Sequence, residues 1–342
     1  MKTLEINGNT GNSKIYINKP FTYAEKLLKG KRVVIITDNN VKDLYEDKFP
    51  SKEIITIGAG EGIKTLQTIE DIYKKLMDLE FDRTGFILGI GGGIVCDIAG
   101  FAASTYMRGV RFGFIPSTLL AQVDASVGGK NGVNLEGHKN MVGVFSQPEF
   151  VICDPEMLKT LPAKELKNGF AEIAKHALIG DQNLFEFMEQ NHKSALELDP
   201  EVIGRLTRDS LVLKSGIVNR DEKEKGERRK LNFGHTIAHA LEKTLGLSHG
   251  EAVAVGIGIA AKLSVKMSDL SGEGENRIYE LFKNFDLNQN ITISCDEIKK
   301  AVRRDKKREG DNINFILLKK IGEATIEKIP IKVLEGVIDD MC

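Results

Sequence analysis

The stretch that decides the fold is residues 85–104, which read GFILGIGGGIVCDIAGFAAS. Gly85 to Ile90 is a short apolar run of the kind that forms a central parallel strand, and Ile94 to Ser104 predicts a helix. Gly91–Gly93 lie between them, so the order is strand, glycines, helix. This order places backbone N–H groups and a helix N-terminus where a pyrophosphate can bind. Ile94 occupies the third glycine position of the common dinucleotide fingerprint, so a tight turn without a ligand is the alternative at this point.

A second glycine pair and several charged side chains follow within residues 105–143. The pair is Gly128-Gly129, and the polar residues are Arg108, Asp124, Lys130, Lys139 and Asn140. Glycine lets a backbone approach an anionic ligand closely, and arginine and lysine supply the opposite charge. The segment therefore predicts a site for a dinucleotide together with a phosphorylated substrate.

Strand and helix signals alternate along the first half of the chain. Strands are predicted at Arg32–Thr37, Glu53–Ile57, Phe112–Ile115 and Val151–Cys153, helices at Val41–Lys48 and Ile63–Leu79, and an N-terminal hairpin from Leu4–Asn7 and Lys14–Asn18. Alternation of this kind predicts a parallel sheet with helices on both faces. Ligands of such sheets bind beyond the carboxyl ends of the strands, where Asp38, Gly91–Gly93 and Pro116–Thr118 fall.

The pattern changes after Asp154-Pro155. Helical periodicity dominates from Pro162 to about Phe285, and one late strand is predicted at Asn314–Lys319. We therefore expect two domains, residues 1–154 and residues 155–342, each large enough to bury its own core. The cleft between two such halves is the default place for an active site.

The composition argues against several classes of protein. The 342 residues carry 48 basic and 49 acidic side chains, so the chain lacks the basic excess of a nucleic-acid-binding protein. It has no apolar run of about 18 residues that would span a membrane, and its N-terminus lacks the apolar core of a signal peptide, so we expect a cytoplasmic location. Cys96, Cys153, Cys295 and Cys342 are far apart in the sequence, and we expect inert thiols in a reducing compartment.

Three histidines predict a metal site. His235 and His239 are four residues apart, so on a helix they share one face, and His249 follows after a turn. Two imidazoles on one face are half of an ordinary zinc site, although capping or surface roles are the alternative. Glu172 lies on an otherwise apolar helix, where it is either a ligand or the partner of a basic neighbour. Three protein ligands and an open position would make the metal catalytic.

Four sequence blocks together resemble the 3-dehydroquinate synthase family of the sugar phosphate cyclases. The blocks are GGGIVCDIAGFAASTYMRGVRF, STLLAQVDASVGGKNGVN with GHKNMVG, NGFAEIAKHALI, and RRKLNFGHTIAHALE with SHGEAVAVG. The resemblance implies an α/β N-terminal Rossmann-like domain and a mostly α-helical C-terminal domain. It also implies a homodimer that binds NAD and one divalent metal, zinc or cobalt.

The same resemblance implies the reaction. The family converts 3-deoxy-D-arabino-heptulosonate 7-phosphate to 3-dehydroquinate and phosphate, a lyase step of the shikimate pathway in aromatic amino acid biosynthesis. The implied partner is a small sugar phosphate, with neither a nucleic acid nor a membrane.

The resemblance also assigns residues to roles. The metal ligands that it implies are Glu172, His235 and His249, while His239 becomes a substrate contact. The implied catalytic and substrate residues are Arg108, Asp124, Lys130, Asn140, Lys175, Lys214, Arg228, Asn232 and His239, with Lys306 or Lys307 as a late lysine. The implied NAD contacts are Asp38, Asn40, Glu61, Lys64, Gly92, Gly93, Asp97, Ser117, Thr118, Lys130, Lys139 and Thr160.

Other enzymes of similar fold remain alternatives. The guanidinium of Arg228 suits a substrate carboxylate, and Asn232 is expected one helical turn later on the same face. These donors favour the heptulosonate phosphate over the carboxylate-free substrates of 2-epi-5-epi-valiolone or 2-deoxy-scyllo-inosose synthases, while an amino-dehydroquinate synthase is a further alternative. A polyol dehydrogenase would have no use for so many cations, and a non-catalytic protein would lack a metal ligand.

The chain departs from the family pattern at three places. Cys96 stands where glycine is usual, Ser117 replaces a threonine, and AKHAL around Lys175 replaces the commoner IKYGL. None of these changes removes a chemical group that the reaction needs.

Overall fold

The computed structural model describes residues 3–287, 294–304 and 308–340. The chain forms two compact units, of which unit 1 ends at Pro162 and unit 2 begins at Ala163. The functional domain boundary at residues 154–155 stays a prediction.

Unit 1 is built on a seven-stranded sheet of order β1-β2-β9-β6-β5-β3-β4. Its elements are β1 (Thr3–Gly8), β2 (Gly11–Ile17), α1 (Ala24–Leu28), β3 (Val33–Asp38), α2 (Asn39–Tyr45), β4 (Ile54–Ile57), α3 (Leu66–Asp78), β5 (Phe86–Gly91), α4 (Gly93–Thr105), β6 (Arg111–Pro116), β7 (Lys130–Leu135), β8 (His138–Phe145) and β9 (Phe150–Cys153). All neighbouring pairs of this sheet are parallel except β1 with β2. The predicted α/β sheet is therefore confirmed.

The sequence analysis did not identify the β7–β8 hairpin, which is a separate antiparallel pair. Most side chains of β8 are exposed, so its sequence lacks the apolar signal of the central strands. The charged, glycine-rich segment that the sequence predicts as a ligand site thus also forms a hairpin, while its ligand-binding role stays a prediction.

The central strands β3 and β5 are apolar on both faces. Every position of both strands is buried. Helix α4 packs closely on the sheet because a Cβ on Gly89 would lie only 2.9 Å from the Cβ of Ala99. Glycine at position 89 therefore leaves the space that α4 occupies against β5.

Unit 2 is mostly helical, as the sequence predicts. Its elements are α5 (Ala163–Gly180), α6 (Gln182–Leu196), α7 (Pro200–Arg220), α8 (His235–Leu245), α9 (His249–Met267), α10 (Gly272–Asn284), α11 (Cys295–Arg304), β10 (Arg308–Glu309), β11 (Asn312–Lys320), β12 (Glu323–Pro330) and α12 (Ile331–Asp339). The three strands form an antiparallel sheet, of which the sequence analysis predicted only β11. Among the helices of the described ranges, none is long and apolar enough to cross a membrane.

Helices α8 and α9 approach each other backbone to backbone. Gly234, which precedes α8, has a φ of 77°. A Cβ on Gly256 of α9 would lie 2.2 Å from the carbonyl oxygen of Gly234. Glycine at position 256 therefore sets the distance between the two helices whose first residues are His235 and His249.

The cysteines differ from one another. Cys96 and Cys153 are free and buried, and burial raises the pKa of both thiols. Cys295 is disulfide-bonded, so the expectation that it is an inert thiol is wrong. Distance along the sequence did not reveal this because folding decides which residues meet, and α11, which begins at Cys295, packs against α12. Cys342 lies outside the described residues.

Substitution of Gly256 tests the close contact of α8 and α9. Gly256→Ala should lower the free energy of unfolding by about 1–3 kcal/mol, because the added methyl group meets backbone that has little room to move. Gly336→Ala in α12 is the matched control, since a Cβ there meets nothing within 4 Å; it should stabilise the protein by about 0.5–1 kcal/mol. Urea unfolding measures both, and equal effects of the two substitutions would contradict the close contact.

Candidate active site

A carboxylate and two imidazoles converge in unit 2. Glu172 lies on α5 and is fully buried, while His235 and His249 are the first residues of α8 and α9. Glu172 Oε1 lies 3.0 Å from His249 Nε2 and 3.5 Å from His235 Nε2. The three ligand atoms all lie within 4.8 Å of one another, a spacing at which they could hold a metal ion.

Hydrogen bonds orient both imidazoles of this cluster. His235 Nδ1 lies 3.1 Å from the carbonyl oxygen of Phe233, and His249 Nδ1 lies 2.6 Å from Glu242 Oε1. Each Nδ1–H donates to its oxygen, so each Nε2 is directed toward Glu172. Metal-binding histidines ordinarily donate their second N–H to a carbonyl or carboxylate in this way.

The charges around the cluster favour a cation. Burial lowers the pKa of His249, but hydrogen bonds to Glu172 and Glu242 outweigh it and raise that pKa to about 9. Burial, and then the charge of Lys175, lower the pKa of His235 from its ordinary 6.5. Two carboxylates thus stabilise positive charge beside an imidazole that stays neutral. One carboxylate oxygen and two imidazole nitrogens in such surroundings fit a zinc-type metal with three protein ligands.

His239 lies beside the cluster rather than in it. Its ring is exposed, and its centroid lies 5.4 Å from that of His235. Spacing made both His239 and His249 ligand candidates, and the structure brings His249 to Glu172, because α9 begins beside the first turn of α8.

The sequence analysis did not single out Glu242 or Asn168, although both hold His249 in place. Glu242 accepts the hydrogen bond from the imidazole, and Asn168 Oδ1 accepts one from the backbone N of Gly250 at 2.7 Å. The first turn of α9 is also closed by a capping box between Ser248 and Glu251. The capping box was readable as S-x-x-E in the sequence, whereas the roles of Glu242 and Asn168 depend on contacts between helices.

Several predicted substrate residues of unit 2 are buried cations. Lys175, Lys214 and Arg228 are 1%, 4% and 2% exposed. Lys175 forms an ion pair with Glu172 Oε2. Because lysine and arginine are rarely buried unless they are paired, these three positions are candidates for a site that binds an anion.

The segment that carries Arg228 and Asn232 differs from the prediction. Both lie in a 3₁₀ helix, Glu227–Asn232, so the expectation that they share one face of an α-helix is wrong, because 3₁₀ residues repeat every three positions. Arg228 Nη1 donates to the carbonyl oxygen of Glu222, and Asn232 donates to the carboxylate of Glu224. Asp221 accepts from the backbone N of Arg228 at 3.0 Å and thereby fixes the start of this helix.

In unit 1 the predicted pyrophosphate site has the expected strand–glycine–helix form. Gly91 ends β5, and Gly92 is the N-cap of α4 without a side-chain cap. None of Gly91–Gly93 has a positive φ. A Cβ on Gly91 would lie 2.5 Å from Val95 Cγ2, and one on Gly93 would lie 2.9 Å from Ala125 Cβ. The glycines are therefore required for close packing, and they leave the first N–H groups of α4 suited to an anion.

Other predicted NAD contacts lie at the adjacent strand ends. Asp38 ends β3, and its Oδ1 accepts from the backbone N of Val41 at 3.0 Å, which caps α2. Ser117 directly follows β6, and its backbone N donates to Gly91 O at 2.8 Å. Asn40 is exposed in the first turn of α2, Thr118 Oγ1 accepts from Ala121 N at 3.1 Å, and Thr160 Oγ1 lies 2.7 Å from the Tyr45 hydroxyl.

Lys64 joins predicted NAD contacts to a predicted substrate contact. Its Nζ donates to Asp97 Oδ2 at 2.5 Å and to Asn140 Oδ1 at 2.6 Å. The side chain of Lys64 is only 6% exposed. The structure therefore places Asp97 of α4 and Asn140 of the β7–β8 hairpin against one buried ammonium group.

The remaining predicted residues of unit 1 lie on exposed or irregular backbone. Arg108 is exposed and has a φ of 69°, Asp124 lies in the π-helical turn Ala121–Ala125, and Lys130 and Lys139 are exposed on the hairpin. Positive φ in a non-glycine residue and π-helical turns are both frequent at functional sites. Lys306 and Lys307 lie outside the described residues.

Two family models match the chain: 3-dehydroquinate synthase N-terminal over residues 54–168, and 3-dehydroquinate synthase C-terminal over residues 169–308. The chain belongs to the 3-dehydroquinate synthase family. A 3-dehydroquinate synthase of Campylobacter concisus is 42% identical over 335 residues, which cover 95% of this chain and 94% of that protein. One of Dehalococcoides mccartyi is 41% identical over 342 residues, which cover 95% of each chain.

A solved structure extends the comparison to the fold. It is a 2-deoxy-scyllo-inosose synthase complexed with carbaglucose-6-phosphate, NAD+ and Co2+. It is 26% identical, covers 99% of this chain and 100% of its own, and has a TM-score of 0.87. The chain is thus an enzyme of the sugar phosphate cyclase class with the fold of that class.

One departure from the 3-dehydroquinate synthase pattern lies in the buried core. His176 follows Lys175 on α5, and its Nδ1 lies 2.6 Å from Ser210 Oγ on α7. Both residues are fully buried. His176 therefore forms a buried contact between α5 and α7.

Asp221 provides a test of how the Arg228 segment is held. Partial burial raises the pKa of Asp221, but the backbone N–H groups of Gly226, Lys225 and Arg228 outweigh it and hold that pKa below the ordinary 3.8. The stabilisation is therefore present above about pH 3.8 and is lost as pH falls through the lowered pKa.

Asp221→Asn should reduce the free energy of unfolding by about 1 kcal/mol at pH 7 and pH 5, and by less at pH 3, because the unfolded wild type then takes up a proton at this carboxylate and part of the stabilisation by the charge is lost. Urea unfolding at the three pH values measures this difference. Asp269→Asn, at an exposed aspartate of unit 2, is the control and should change little. A loss from Asp221→Asn that is the same at all three pH values would contradict the role of the charge.

Proposed function

We propose that this enzyme converts 3-deoxy-D-arabino-heptulosonate 7-phosphate to 3-dehydroquinate and phosphate, as a lyase that uses bound NAD and one divalent metal. Family membership supports the reaction. The observation that carries the proposal is the convergence of Glu172, His235 and His249 within 4.8 Å in a unit that also buries Lys175, Lys214 and Arg228. A metal-ligand set with buried cations suits a polyhydroxylated, anionic substrate.

In this proposal the NAD pyrophosphate binds to the first turn of α4, where Gly92 and Gly93 present N–H groups without a Cβ in the way. Oδ1 of Asp38 already caps α2, so we assign Oδ2 to the adenosine ribose hydroxyls. Ser117 and Thr118 follow the neighbouring strand and supply hydroxyl groups. When bound, NAD would accept and return a hydride, and the metal would polarise the hydroxyl that is oxidised.

The protein's own residues hold the metal and the substrate. Glu172, His235 and His249 would bind the metal through one oxygen and two Nε2 atoms. Cations would neutralise the phosphate and the carboxylate of the substrate: Arg108, Lys130, Lys175, Lys214 and Arg228. The arginine guanidinium suits a carboxylate because two N–H groups can donate in parallel. His239, Asn140, Asn232 and Asp124 complete the proposed substrate contacts.

Several further assignments stay predictions. They are the homodimeric state, the cytoplasmic location, the shikimate pathway role, and the division into a Rossmann-like NAD-binding domain, residues 1–154, and a helical metal- and substrate-binding domain, residues 155–342. The identity of the metal, zinc or cobalt, belongs with them.

Phosphate release from a panel of substrates tests the reaction. With NAD and Zn2+ or Co2+ present, release should be fast with the heptulosonate phosphate and at least about a hundredfold slower with glucose 6-phosphate or sedoheptulose 7-phosphate. A substrate without a carboxylate would not form the two parallel hydrogen bonds that the guanidinium of Arg228 offers to a carboxylate, so the transition state would lose that stabilisation. Comparable turnover of either of these two sugar phosphates, which lack a carboxylate, would contradict the proposed reaction and indicate the activity of another sugar phosphate cyclase.

Metal content tests the proposed ligands separately. His235→Ala should lose both the metal and the activity, because a ligand is removed outright. Glu242→Gln should lower metal affinity about 10- to 100-fold, because the glutamine amide holds His249 Nδ1–H less strongly than a carboxylate does.

Competition with a chelator of known affinity measures binding, and Glu280→Gln, at an exposed position of α10, is the control. Full metal occupancy in folded His235→Ala protein would overturn the ligand assignment.

A further inference from the structure

Asn134, near the end of β7, contacts two groups of proposed site residues in unit 1. Its Oδ1 accepts from the backbone N of Asn140 at 2.9 Å, and its Nδ2 donates to Glu61 Oε1 at 2.7 Å. Its backbone N donates to Lys64 O at 2.8 Å. Glu61 and Lys64 are proposed NAD contacts, and Asn140 is a proposed substrate contact, so one amide side chain connects the two sets.

A second path of contacts connects the same residues. Lys64 Nζ donates to Asn140 Oδ1 at 2.6 Å, and Thr65 forms a parallel bridge with Asn134. Asn140 is therefore held at its backbone by Asn134 and at its side chain by Lys64. Lys64 belongs to the segment that follows Glu61, and Asn134 is hydrogen-bonded to that segment through the carbonyl oxygen of Lys64.

The conformation of Asn140 needs this support. The φ of Asn140 is 56°, in the left-handed region, and Asn140 is exposed on β8. Asparagine adopts this region more readily than most residues, but an exposed residue stays there only when its surroundings hold it. The hydrogen bond from its backbone N to Asn134 Oδ1 supplies that restraint directly.

We propose that Asn134 is a positioning residue that holds the β7–β8 hairpin in the conformation in which Asn140 meets the substrate, and that couples this conformation to the NAD-binding segment at Glu61. The inference rests on the proposed function for the roles of Glu61 and Asn140. Its consequence is reciprocal: NAD and substrate each favour the same hairpin conformation, so each strengthens the binding of the other.

Two substitutions separate the contacts of Asn134. Asn134→Asp keeps the acceptor for Asn140 N but places a carboxylate against that of Glu61. It should weaken NAD binding about tenfold, the equivalent of about 1.4 kcal/mol, and leave the KM for substrate at saturating NAD within about twofold. Asn134→Leu removes both contacts and should weaken NAD binding and raise the KM about tenfold each, with a smaller change in kcat.

A double-mutant cycle with Glu61→Gln decides whether the Asn134–Glu61 contact carries the effect. The glutamine amide can donate to a carboxylate at position 134, which restores the hydrogen bond in the reverse direction. In the Glu61→Gln background, Asn134→Asp should therefore change NAD affinity by less than about twofold. The same loss in both backgrounds would overturn the proposal, as would unchanged NAD affinity and KM in Asn134→Leu.

Calorimetric titration of the full-length protein with NAD gives the affinities without turnover, and thermal unfolding reports on folding. Leu135→Ala is the matched control, because it alters the next residue of the hairpin, whose side chain is 43% exposed; it should change neither quantity. If the wild type releases no phosphate from the heptulosonate phosphate, the proposed function fails, while the NAD cycle still decides the role of Asn134. If Asn134→Leu does not fold, the aspartate cycle alone decides it.

Discussion

The buried carboxylate of Glu172 is the constraint on which unit 2 depends. A carboxylate with no exposed surface is retained only when positive groups and hydrogen bonds surround it, and breaking such a set costs about 3–5 kcal/mol. Here the partners come from three helices: Lys175 on α5 itself, His235 from α8 and His249 from α9. The same requirement that stabilises the charge therefore fixes the positions of the helix ends that carry the imidazoles. A metal ion would replace the proton of His249 with a stronger cation at the same place.

The geometry of that cluster is set by small residues outside it. Gly234 and Gly256 let the backbones of α8 and α9 come into contact. Gly250 packs on Asn168, because a Cβ on Gly250 would lie only 2.6 Å from the Cα of Asn168. Because these contacts involve backbone atoms, they position His235 and His249 more rigidly than side-chain packing could. Glu242 then fixes the rotation of the His249 ring. The site thus combines buried charge with glycine contacts that leave it little freedom to rearrange.

Unit 1 follows a different principle. Its proposed ligand-binding edge is made by backbone at the ends of parallel strands, where Asp38 ends β3 and Gly92 and Ser117 follow β5 and β6. Within the hairpin that carries Lys130, Lys139 and Asn140, polar contacts of Lys64 and Asn134 hold Asn140. Polar contacts are individually weak and reversible. Binding of a ligand can therefore influence the hairpin more readily than it can influence the glycine-packed helices of unit 2.

The sequence by itself determined the class of fold. Buried strands such as Phe86–Gly91 are recognisable from continuous apolar runs, and the Gly91–Gly93 segment from its place between strand and helix. Local pattern was insufficient wherever the decisive partner is distant in sequence. Spacing paired His235 with His239, but the position beside Glu172 belongs to His249. Local pattern also did not predict four other features: the 3₁₀ helix at Arg228, the disulfide of Cys295, strand β12 and the exposed β7–β8 hairpin. Glu242, Asn168 and Asn134 have ordinary surroundings in the sequence, and only the tertiary structure brings them to the residues that they hold, because a hydrogen bond depends on distance in space and not along the chain.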